Sequence, residues 1–503
     1  MSLRRNIVAN YISQAYVAGI SIVTVPLYLK FMGGEAYGLI GFYTMLQAWF
    51  QLLDAGLSTT LARESSRYNA GATDASTLSQ LRRVLEWAFV AVGVLGATFF
   101  FIFGEAIANK WLNVNALSLI EVTRCIELMG LVIAFRWLSC LYRGVVTGYE
   151  EQVWLGYFNI IIATARFPCG IPILILVDPS PVTYFSYQVV ISFFETIILY
   201  WKANQLLPRC VVLFRGAIDR LGEPLKFASG VAFTSVAWVL VTQIDKLFLS
   251  SILALSDYGE FSLAIILAGG INLLAAPIGA AFLPRLTSTA ANFDETGTRN
   301  LYLRYTELTC FAMFPIAFTV FACASQVLFA WTGNKGLSQS ADMVLGIYSL
   351  GNAVMGLSSF AYYIQYAKGN VRLHLIGSFI LAAIYLPAVV WAANFDGANG
   401  AAAMWLLMNM LYLLFWVPLV HRRLLPGLHM QWISKRVLPV VIGAAIPTLV
   451  VILIPSLMPE NASRFACALF VLLFLTLSML GSVLGSSILR DRIGLLIRRN
   501  AAC

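Results

Sequence analysis

Residues 6–29 of this chain read NIVANYISQAYVAGISIVTVPLYL and contain no charged side chain. A predominantly apolar stretch of this length can cross the hydrocarbon core of a bilayer as one α-helix. Arg4 and Arg5 precede it directly, and no convincing small-residue cleavage site follows it. The segment is therefore interpreted as a first transmembrane helix with its basic end in the cytoplasm, rather than as a removable signal peptide.

The composition extends this interpretation to the whole chain. Of 503 residues, 60% are hydrophobic and only 11% are charged, whereas about 25% of a typical soluble domain is charged. The mean hydropathy of +0.80 agrees. A soluble multidomain protein is excluded, and the net charge of +9 must be read by position, because in a membrane protein it reports topology first.

Apolar segments of about 18 residues or more are candidate transmembrane helices, and fourteen of them nearly fill the chain. They cover residues 6–29, 36–60, 84–108, 117–142, 153–177, 182–203, 227–253, 258–283, 305–330, 341–367, 373–393, 398–420, 437–456 and 465–488. The connections between them are short. No loop is therefore long enough to hold a soluble catalytic domain.

The basic residues test this topology, because cytoplasmic loops of membrane proteins carry an excess of Lys and Arg. If the N-terminus is cytoplasmic, most of the 33 basic residues lie in inner loops and tails. The outer loops hold only Lys30, Lys110, Lys335 and Arg464. The alternation holds from end to end. We therefore predict an all-α polytopic membrane protein of about fourteen helices, with both termini in the cytoplasm.

A weak internal repeat divides the chain. A shift of 221 residues pairs Ala36-Tyr37-Gly38 with Asp257-Tyr258-Gly259 and Glu86 with Glu307, and one residue of slippage pairs Arg63 with Arg285. Repeated halves are common in transporters, and six helices between the copies give both halves the same orientation. The predicted parts are an N-terminal bundle at 1–207, a cytoplasmic linker at 208–226, a C-terminal bundle at 227–424, and two extra helices with a basic tail at 425–503.

Several motifs resemble the opening of a known transporter family. They are Pro26-Leu-Tyr28, Gly33-Gly-Glu-Ala-Tyr37-Gly38-Leu, Leu53-Asp54-Ala-Gly56-Leu57 and Arg63-Glu64, with a weaker echo at Leu283-Pro284-Arg285. This pattern is similar to the polysaccharide transporters, the Wzx-type flippases for lipid-linked oligosaccharides. These belong to the multidrug/oligosaccharidyl-lipid/polysaccharide superfamily. The motif resemblance is strong over about the first seventy residues and weak in the second half.

The resemblance implies two six-helix bundles that form a V-shaped cleft, followed by two C-terminal helices. It implies a protein of the bacterial inner membrane that is no enzyme. Its cargo would be undecaprenyl-pyrophosphate-linked oligosaccharide units of O-antigen, capsule or exopolysaccharide. Alternating access would carry them from the cytoplasmic to the periplasmic leaflet. Membrane lipids and the polysaccharide polymerase or chain-length machinery are the expected partners. No cofactor is expected, and proton or sodium coupling is left open.

Ionisable residues inside the predicted spans point to the site, because a charge near the bilayer centre costs roughly 2.5–3.5 kcal/mol on insertion scales. The basic ones, ranked as candidates for binding cargo, are Arg166, Arg136, Arg124 and Lys246. The acidic ones, candidates for ion coupling or gating, are Asp54, Asp245, Glu195 and Glu127. Guanidinium groups stay charged in a poorly solvated cavity and bind phosphate oxygens in a bidentate fork. The sequence therefore predicts a cationic cleft for a pyrophosphate.

One of these arginines, Arg136, shares a helical stripe with Arg143 at the cytoplasmic end of the same predicted helix. Arg136 and Arg143 are seven residues apart, which is close to two helical turns, and would form a cationic track from the cytoplasm. Prolines at 168 and 172 flank Gly170 just after Arg166 and predict a bend there.

Structural roles compete with each of these assignments. Arg124 is three residues from Glu127 and has the spacing of a helical ion pair. Asp245 is adjacent to Lys246 and would form a local salt bridge. Asp54 would orient Arg63 or cap a break in its helix. Four basic residues against four acidic ones do not by themselves prove an anion site.

Other functions have less support. The chain contains no Walker A sequence, no G-x-G-x-x-G, no G-x-S-x-G and no H-E-x-x-H. Its three histidines predict no metal cluster. A nucleic-acid role rests on the net positive charge alone. A multidrug exporter of cations would need a cleft dominated by acidic groups. A glycan polymerase would need a large outer loop. A lipid II flippase is a close relative that sequence separates poorly.

Overall fold

A computed structural model describes residues 3–54, 56–208, 222–459 and 462–486 of the chain. Across these ranges the backbone is almost entirely helical, and the one pairing of extended residues is an isolated bridge between Asn113 and Ala254. The predicted all-α architecture is therefore confirmed for the described residues.

The chain divides into two compact units, Met1–Gly259 and Glu260–Cys503. The helices of unit 1 are α1 (Leu3–Met32), α2 (Gly34–Leu53), α3 (Leu57–Asn69), α4 (Ala75–Lys110), α5 (Leu119–Gly148), α6 (Gln152–Arg166), α7 (Gly170–Leu176), α8 (Pro181–Leu206) and α9 (Gly222–Ile252). The helix α10 (Leu255–Ala291) begins in unit 1 and continues into unit 2.

The other helices of unit 2 are α11 (Glu295–Ala322), α12 (Ala324–Thr332), α13 (Lys335–Ser340), α14 (Asp342–Ala367), α15 (Arg372–Leu411), α16 (Val417–Leu424), α17 (Leu428–Trp432), α18 (Leu438–Leu453) and α19 (Arg464–Gly485). Short π-helical turns follow α15 and α17, at Tyr412–Trp416 and Ile433–Val437. A 3-10 turn lies at Pro455–Leu457.

Eleven stretches of the described helices are long and apolar enough to cross a membrane. Two further helices, α2 and α9, have 20 and 31 residues and lie in predicted spans. The stretch Arg372–Leu424 breaks at Asp396 and Gly397, where the backbone leaves the helical region. This break falls between the spans predicted at 373–393 and 398–420. The protein is thus multi-pass, while the number fourteen and the placement of the termini stay predictions.

The predicted four-part division and the cleft between the bundles also stay predictions. Most of the predicted linker at 208–226 lies outside the described residues, as does the basic tail after residue 486.

The core of unit 1 lies among α3, α4, α5, α6 and α8. Phe89 of α4 stacks on Trp137 of α5 with 4.5 Å between ring centroids, and the Trp137 indole N–H donates to the Phe89 carbonyl at 3.1 Å. At a second point of contact, Gly130 of α5 lies so close to Phe100 of α4 that a Cβ added to Gly130 would be 2.8 Å from the Phe100 side chain. Packing from several sides therefore fixes the position of α5, which carries three of the candidate arginines.

The core of unit 2 lies around buried aromatic side chains of α10, α11 and α14. Phe282 packs against Phe360 at 5.0 Å and against Tyr302 at 6.5 Å between centroids. The Tyr302 hydroxyl and His421 Nε2 share a hydrogen bond of 2.7 Å, and Trp432 packs edge-on against the same imidazole. The buried Tyr302 hydroxyl and His421 imidazole thus satisfy each other within this core.

The two copies of the repeated Tyr-Gly motif contact each other in unit 1, and this contact gives the motif a structural role. Tyr37 and Gly38 lie in the first turns of α2, and Tyr258 and Gly259 lie in the first turns of α10. Both tyrosines are buried, and an added Cβ at Gly259 would lie 3.3 Å from the Cα of Gly38. Glycine at both positions lets the two backbones approach closely, which accounts for the recurrence of the motif at this offset.

Candidate functional site

The middle of unit 1 holds a buried ion cluster built from three of the predicted residues. Glu195 lies near the middle of α8 and is only 2% exposed. Its Oε1 accepts from Arg143 Nη2 at 2.5 Å, and its Oε2 accepts from Arg166 Nη2 at 2.6 Å. One carboxylate thereby bridges two arginines that come from different helices, α5 and α6.

A third arginine extends the cluster toward α2. Arg136 donates to Gln47 Oε1 at 3.1 Å and to the Tyr43 hydroxyl at 3.4 Å, and it interacts electrostatically with Glu195. Arg143 also donates to Asn159 Oδ1 at 2.6 Å. The predicted stripe of Arg136 and Arg143 on α5 therefore faces this cluster. Three guanidinium groups against one carboxylate leave an excess of positive charge.

A break in the chain after α6 positions Arg166. The helix ends at Arg166 and α7 begins at Gly170, so the bend predicted from the prolines is confirmed. Proline removes a backbone donor and frees carbonyl groups that must find other partners. Tyr187 donates to the carbonyl of Ala165 at 2.6 Å, and Tyr28 donates to that of Phe167 at 2.6 Å. These two hydroxyls stabilise the broken end from α8 and α1.

Arg166 keeps unused binding capacity. Its side chain is 8% exposed, and its second donor contact, to Ser192 Oγ, is long at 3.4 Å. Among the residues that the structure describes, its buried Nε–H has no hydrogen-bond partner. A buried donor without an acceptor costs about 1–3 kcal/mol, so this site favours a further acceptor. A phosphate oxygen is such an acceptor, since guanidinium groups bind phosphate in a fork.

The remaining candidates lie elsewhere. Arg124 is exposed near the start of α5, roughly 18 Å along the helix from Arg136 at 1.5 Å per residue. Glu127 follows it, partly buried, where α5 passes Gly104 of α4. The structure does not bring these two residues into the cluster.

Two more candidates pair locally on α9. Lys246 Nζ donates to Asp245 Oδ1 at 3.2 Å and to the carbonyl of Thr242 at 2.6 Å. Asp245 is 1% exposed. This is the local salt bridge that the adjacent positions allowed.

The motif residues of the family-like segment have helix-end roles. Asp54 follows α2, and its carboxylate accepts from the backbone N–H of Ser58 at 2.9 Å and from the Ser58 hydroxyl at 2.5 Å. It thus caps α3, the helix that carries Arg63. In unit 2, Arg285 is exposed and donates to the Tyr305 hydroxyl at 3.1 Å.

Sequence reasoning missed two buried carboxylates, one in the first turn of α2 and one in the middle of α11. Glu35 is 7% exposed and accepts backbone N–H groups of residues 115–117 at 2.8–2.9 Å, which fixes the loop between α4 and α5. Glu307 of α11 accepts from Arg436 at 2.7 Å and from Ser486 at 2.6 Å. Both lie in the motifs that revealed the repeat and the family, and that position was the available signal.

The comparisons with known proteins agree with this architecture. The model of the family described as "Polysaccharide biosynthesis protein" matches residues 3–290, more than half of the chain. The chain belongs to this family. A relative from Rhizobium meliloti (strain 1021), named as the succinoglycan biosynthesis transport protein ExoT, is 22% identical over 80% of this chain and 77% of its own.

Two solved structures share the fold. One is the lipid II flippase MurJ in an inward closed conformation, with a TM-score of 0.72, 16% identity, and coverage of 97% of this chain and 99% of that chain. The other is an inward-facing multidrug resistance transporter of the MATE family in the MOP superfamily, with a TM-score of 0.63, 10% identity, and coverage of 86% and 99%. The family resemblance predicted from the motifs is confirmed. The relative and both structures are named as transporters or flippases. The expectation of a transport protein rather than an enzyme is therefore confirmed as well.

Proposed function

We propose that this protein is a flippase for undecaprenyl-pyrophosphate-linked oligosaccharide units of O-antigen, capsule or exopolysaccharide in the bacterial inner membrane. It carries them from the cytoplasmic to the periplasmic leaflet by alternating access, with both termini in the cytoplasm. The observation that carries the proposal is the arginine cluster of Arg136, Arg143 and Arg166. Family membership and the named role of the relative ExoT in succinoglycan transport support it.

The chemistry of the cluster fits a pyrophosphate. Moving a phosphate charge into a bilayer requires partners that replace its hydration shell, because an isolated buried ion is very costly. Guanidinium groups are weakly hydrated and stay protonated, so they supply donors and charge at any physiological pH. Three of them lie on helices α5 and α6 around one carboxylate. An exporter of cations would need the opposite balance of charge.

We also propose that proton or sodium coupling supplies the energy for the transport cycle. Intramembrane carboxylates are candidates for proton or sodium coupling in transporters. Glu195 within the cluster and Asp245 of α9 are two buried carboxylates of predicted spans that pair with basic side chains. The glycan polymerase or chain-length machinery would receive the cargo on the periplasmic side.

The test is a deletion strain in which lipid-linked sugars are analysed in each leaflet. We expect the intermediate to accumulate on the cytoplasmic side and wild-type protein to restore export. Arg166→Ala should not restore export, and Arg166→Lys should restore it only in part, because lysine keeps the charge but loses the bidentate fork.

Arg67→Ala is the matched control. Arg67 pairs with Glu64 on α3, outside the arginine cluster, and its side chain is 42% exposed whereas that of Glu64 is 5% exposed. The variant therefore takes an arginine away from a buried carboxylate, as Arg166→Ala does, but leaves the three guanidinium groups of the cluster in place. This variant should restore export fully. Normal glycan export in the deletion strain, with no redundant transporter present, would overturn the proposal, and accumulation of lipid II instead would favour the lipid II alternative.

A further inference from the structure

We infer that Glu195 occupies the phosphate subsite of the arginine cluster when cargo is absent, and that the cargo's phosphate displaces it. The inference rests on the proposed function and assigns Glu195 a specific role in it. Glu195 would be an internal competitor that sets how tightly the pyrophosphate is held.

The contact geometry motivates the inference. Both carboxylate oxygens of Glu195 are used, one by Arg143 and one by Arg166. A phosphate group presents the same pattern, with two oxygens on one atom that accept from two guanidinium groups. The carboxylate therefore takes the donors that a phosphate needs.

Occupation of the same donors makes the two anions compete. With Glu195 ionised the three arginines keep a net positive charge, but the Nη2 groups of Arg143 and Arg166 already donate to the carboxylate. A phosphate placed beside the carboxylate would add like-charge repulsion, which is strong where the effective dielectric is low. Cargo binding is therefore favoured when the carboxylate leaves the guanidinium groups or takes up a proton.

Competition has a consequence for transport. A site with three unopposed arginines would hold a pyrophosphate so tightly that release would be slow. A resident carboxylate that returns to Arg143 and Arg166 offsets part of this affinity at the release step. The same contacts also admit a simpler role, in which Glu195 merely holds the two arginines in place.

The variant Glu195→Gln separates these roles. Glutamine keeps the shape and one acceptor oxygen but removes the charge. If Glu195 competes with cargo, the variant binds a pyrophosphate more tightly, by about tenfold or more, since close charge pairs commonly couple by at least that factor. If Glu195 only holds the arginines, the variant binds less tightly.

The probe is farnesyl pyrophosphate, titrated against the purified full-length protein in detergent. We expect tighter binding by Glu195→Gln than by wild type, and loss of binding in Arg166→Ala. Glu86→Gln is the matched control, because Glu86 pairs with Arg82 at 2.8 Å on α4 of the same unit. Its affinity should equal that of wild type.

If Glu195→Gln is too unstable for the titration, the rise in its thermal unfolding midpoint on addition of the probe is measured instead. Glu195→Gln should be stabilised by the probe more than wild type is. Glu195→Asp retains the charge on a shorter side chain that cannot bridge both arginines, and it should also bind more tightly than wild type. Equal or weaker binding by both variants, with normal binding by wild type, would overturn the inference and leave the proposed function standing. Absence of binding in wild type and in every variant would count against both.

Discussion

The contact between the two copies of the Tyr-Gly motif makes a sharp prediction at Gly38. A Cβ at this position would overlap the carbonyl oxygen of Leu255 and lie 3.0 Å from its carbonyl carbon. Real Cβ atoms essentially never approach closer than 3.0 Å. Because the obstacle is backbone, no side-chain rotation relieves it, and in Gly38→Ala the helices α2 and α10 must move apart locally.

The expected loss follows from two opposing effects. Overpacking of this kind costs about 1–3 kcal/mol and occasionally more, and a backbone obstacle belongs at the upper end. Alanine recovers up to about 1 kcal/mol of helix propensity. The net loss is therefore about 2 kcal/mol. For a unit of this size, 1 kcal/mol corresponds to roughly 2–4 °C, so the midpoint should fall by about 4–8 °C.

The assay is thermal unfolding of the purified full-length protein in detergent, followed by loss of the monodisperse species in size-exclusion chromatography. Gly34→Ala is the control, since its added Cβ would meet only Ser256, at an ordinary 3.8 Å. It should unfold at or above the wild-type midpoint. The reasoning is refuted if Gly38→Ala unfolds with wild type, or if both variants lose the same amount.

Three further predictions use the same unfolding measurement. Asp54→Ala removes the cap on Ser58 and should cost about 0.5–2 kcal/mol, with Asp54→Asn close to wild type. Tyr28→Phe leaves a freed carbonyl at the end of α6 without its donor; it should cost about 1–3 kcal/mol and reduce export in the complementation strain. Arg436→Met removes the guanidinium from the buried Glu307 carboxylate and should cost about 3–5 kcal/mol, and adding Glu307→Gln should recover part of that loss; an additive double variant would contradict this reading.

Much of the fold could be predicted from the sequence because a bilayer leaves few choices. Backbone polar groups in a span have no water to bond, and a continuous helix satisfies nearly all of them internally, so apolar length nearly determines secondary structure. The break after Arg166 was also predictable, because Pro168 and Pro172 cannot continue the hydrogen-bond ladder. The donors that rescue the freed carbonyls, Tyr28 and Tyr187, come from helices far away in the chain and left no local signal.

The site was only partly predictable, for a related reason. The cost of a charge in lipid identified Arg166, Arg136 and Glu195 as candidates. Which of them meet depends on how each helix is rotated, and hydropathy does not record that rotation. Arg124, on the same helix as Arg136 and ranked after it, therefore stayed a candidate from sequence but lies apart from the cluster. Uncharged partners such as Gln47 were missed because only charged residues are conspicuous in an apolar chain.

The charged residues of the cluster have no charged counterparts in the second half of the chain. At the offset that pairs the two Tyr-Gly motifs, the four charged residues of the cluster have only uncharged, largely apolar counterparts in the second half. Arg136, Arg143, Arg166 and Glu195 correspond to Leu357, Ile364, Pro387 and Trp416. The recurring Tyr-Gly motif lies in the first turns of α2 and α10 and allows close backbone approach. The charges do not recur, which agrees with the proposed cargo and its single pyrophosphate, because a second arginine cluster would bind the same group at a second place and oppose its movement.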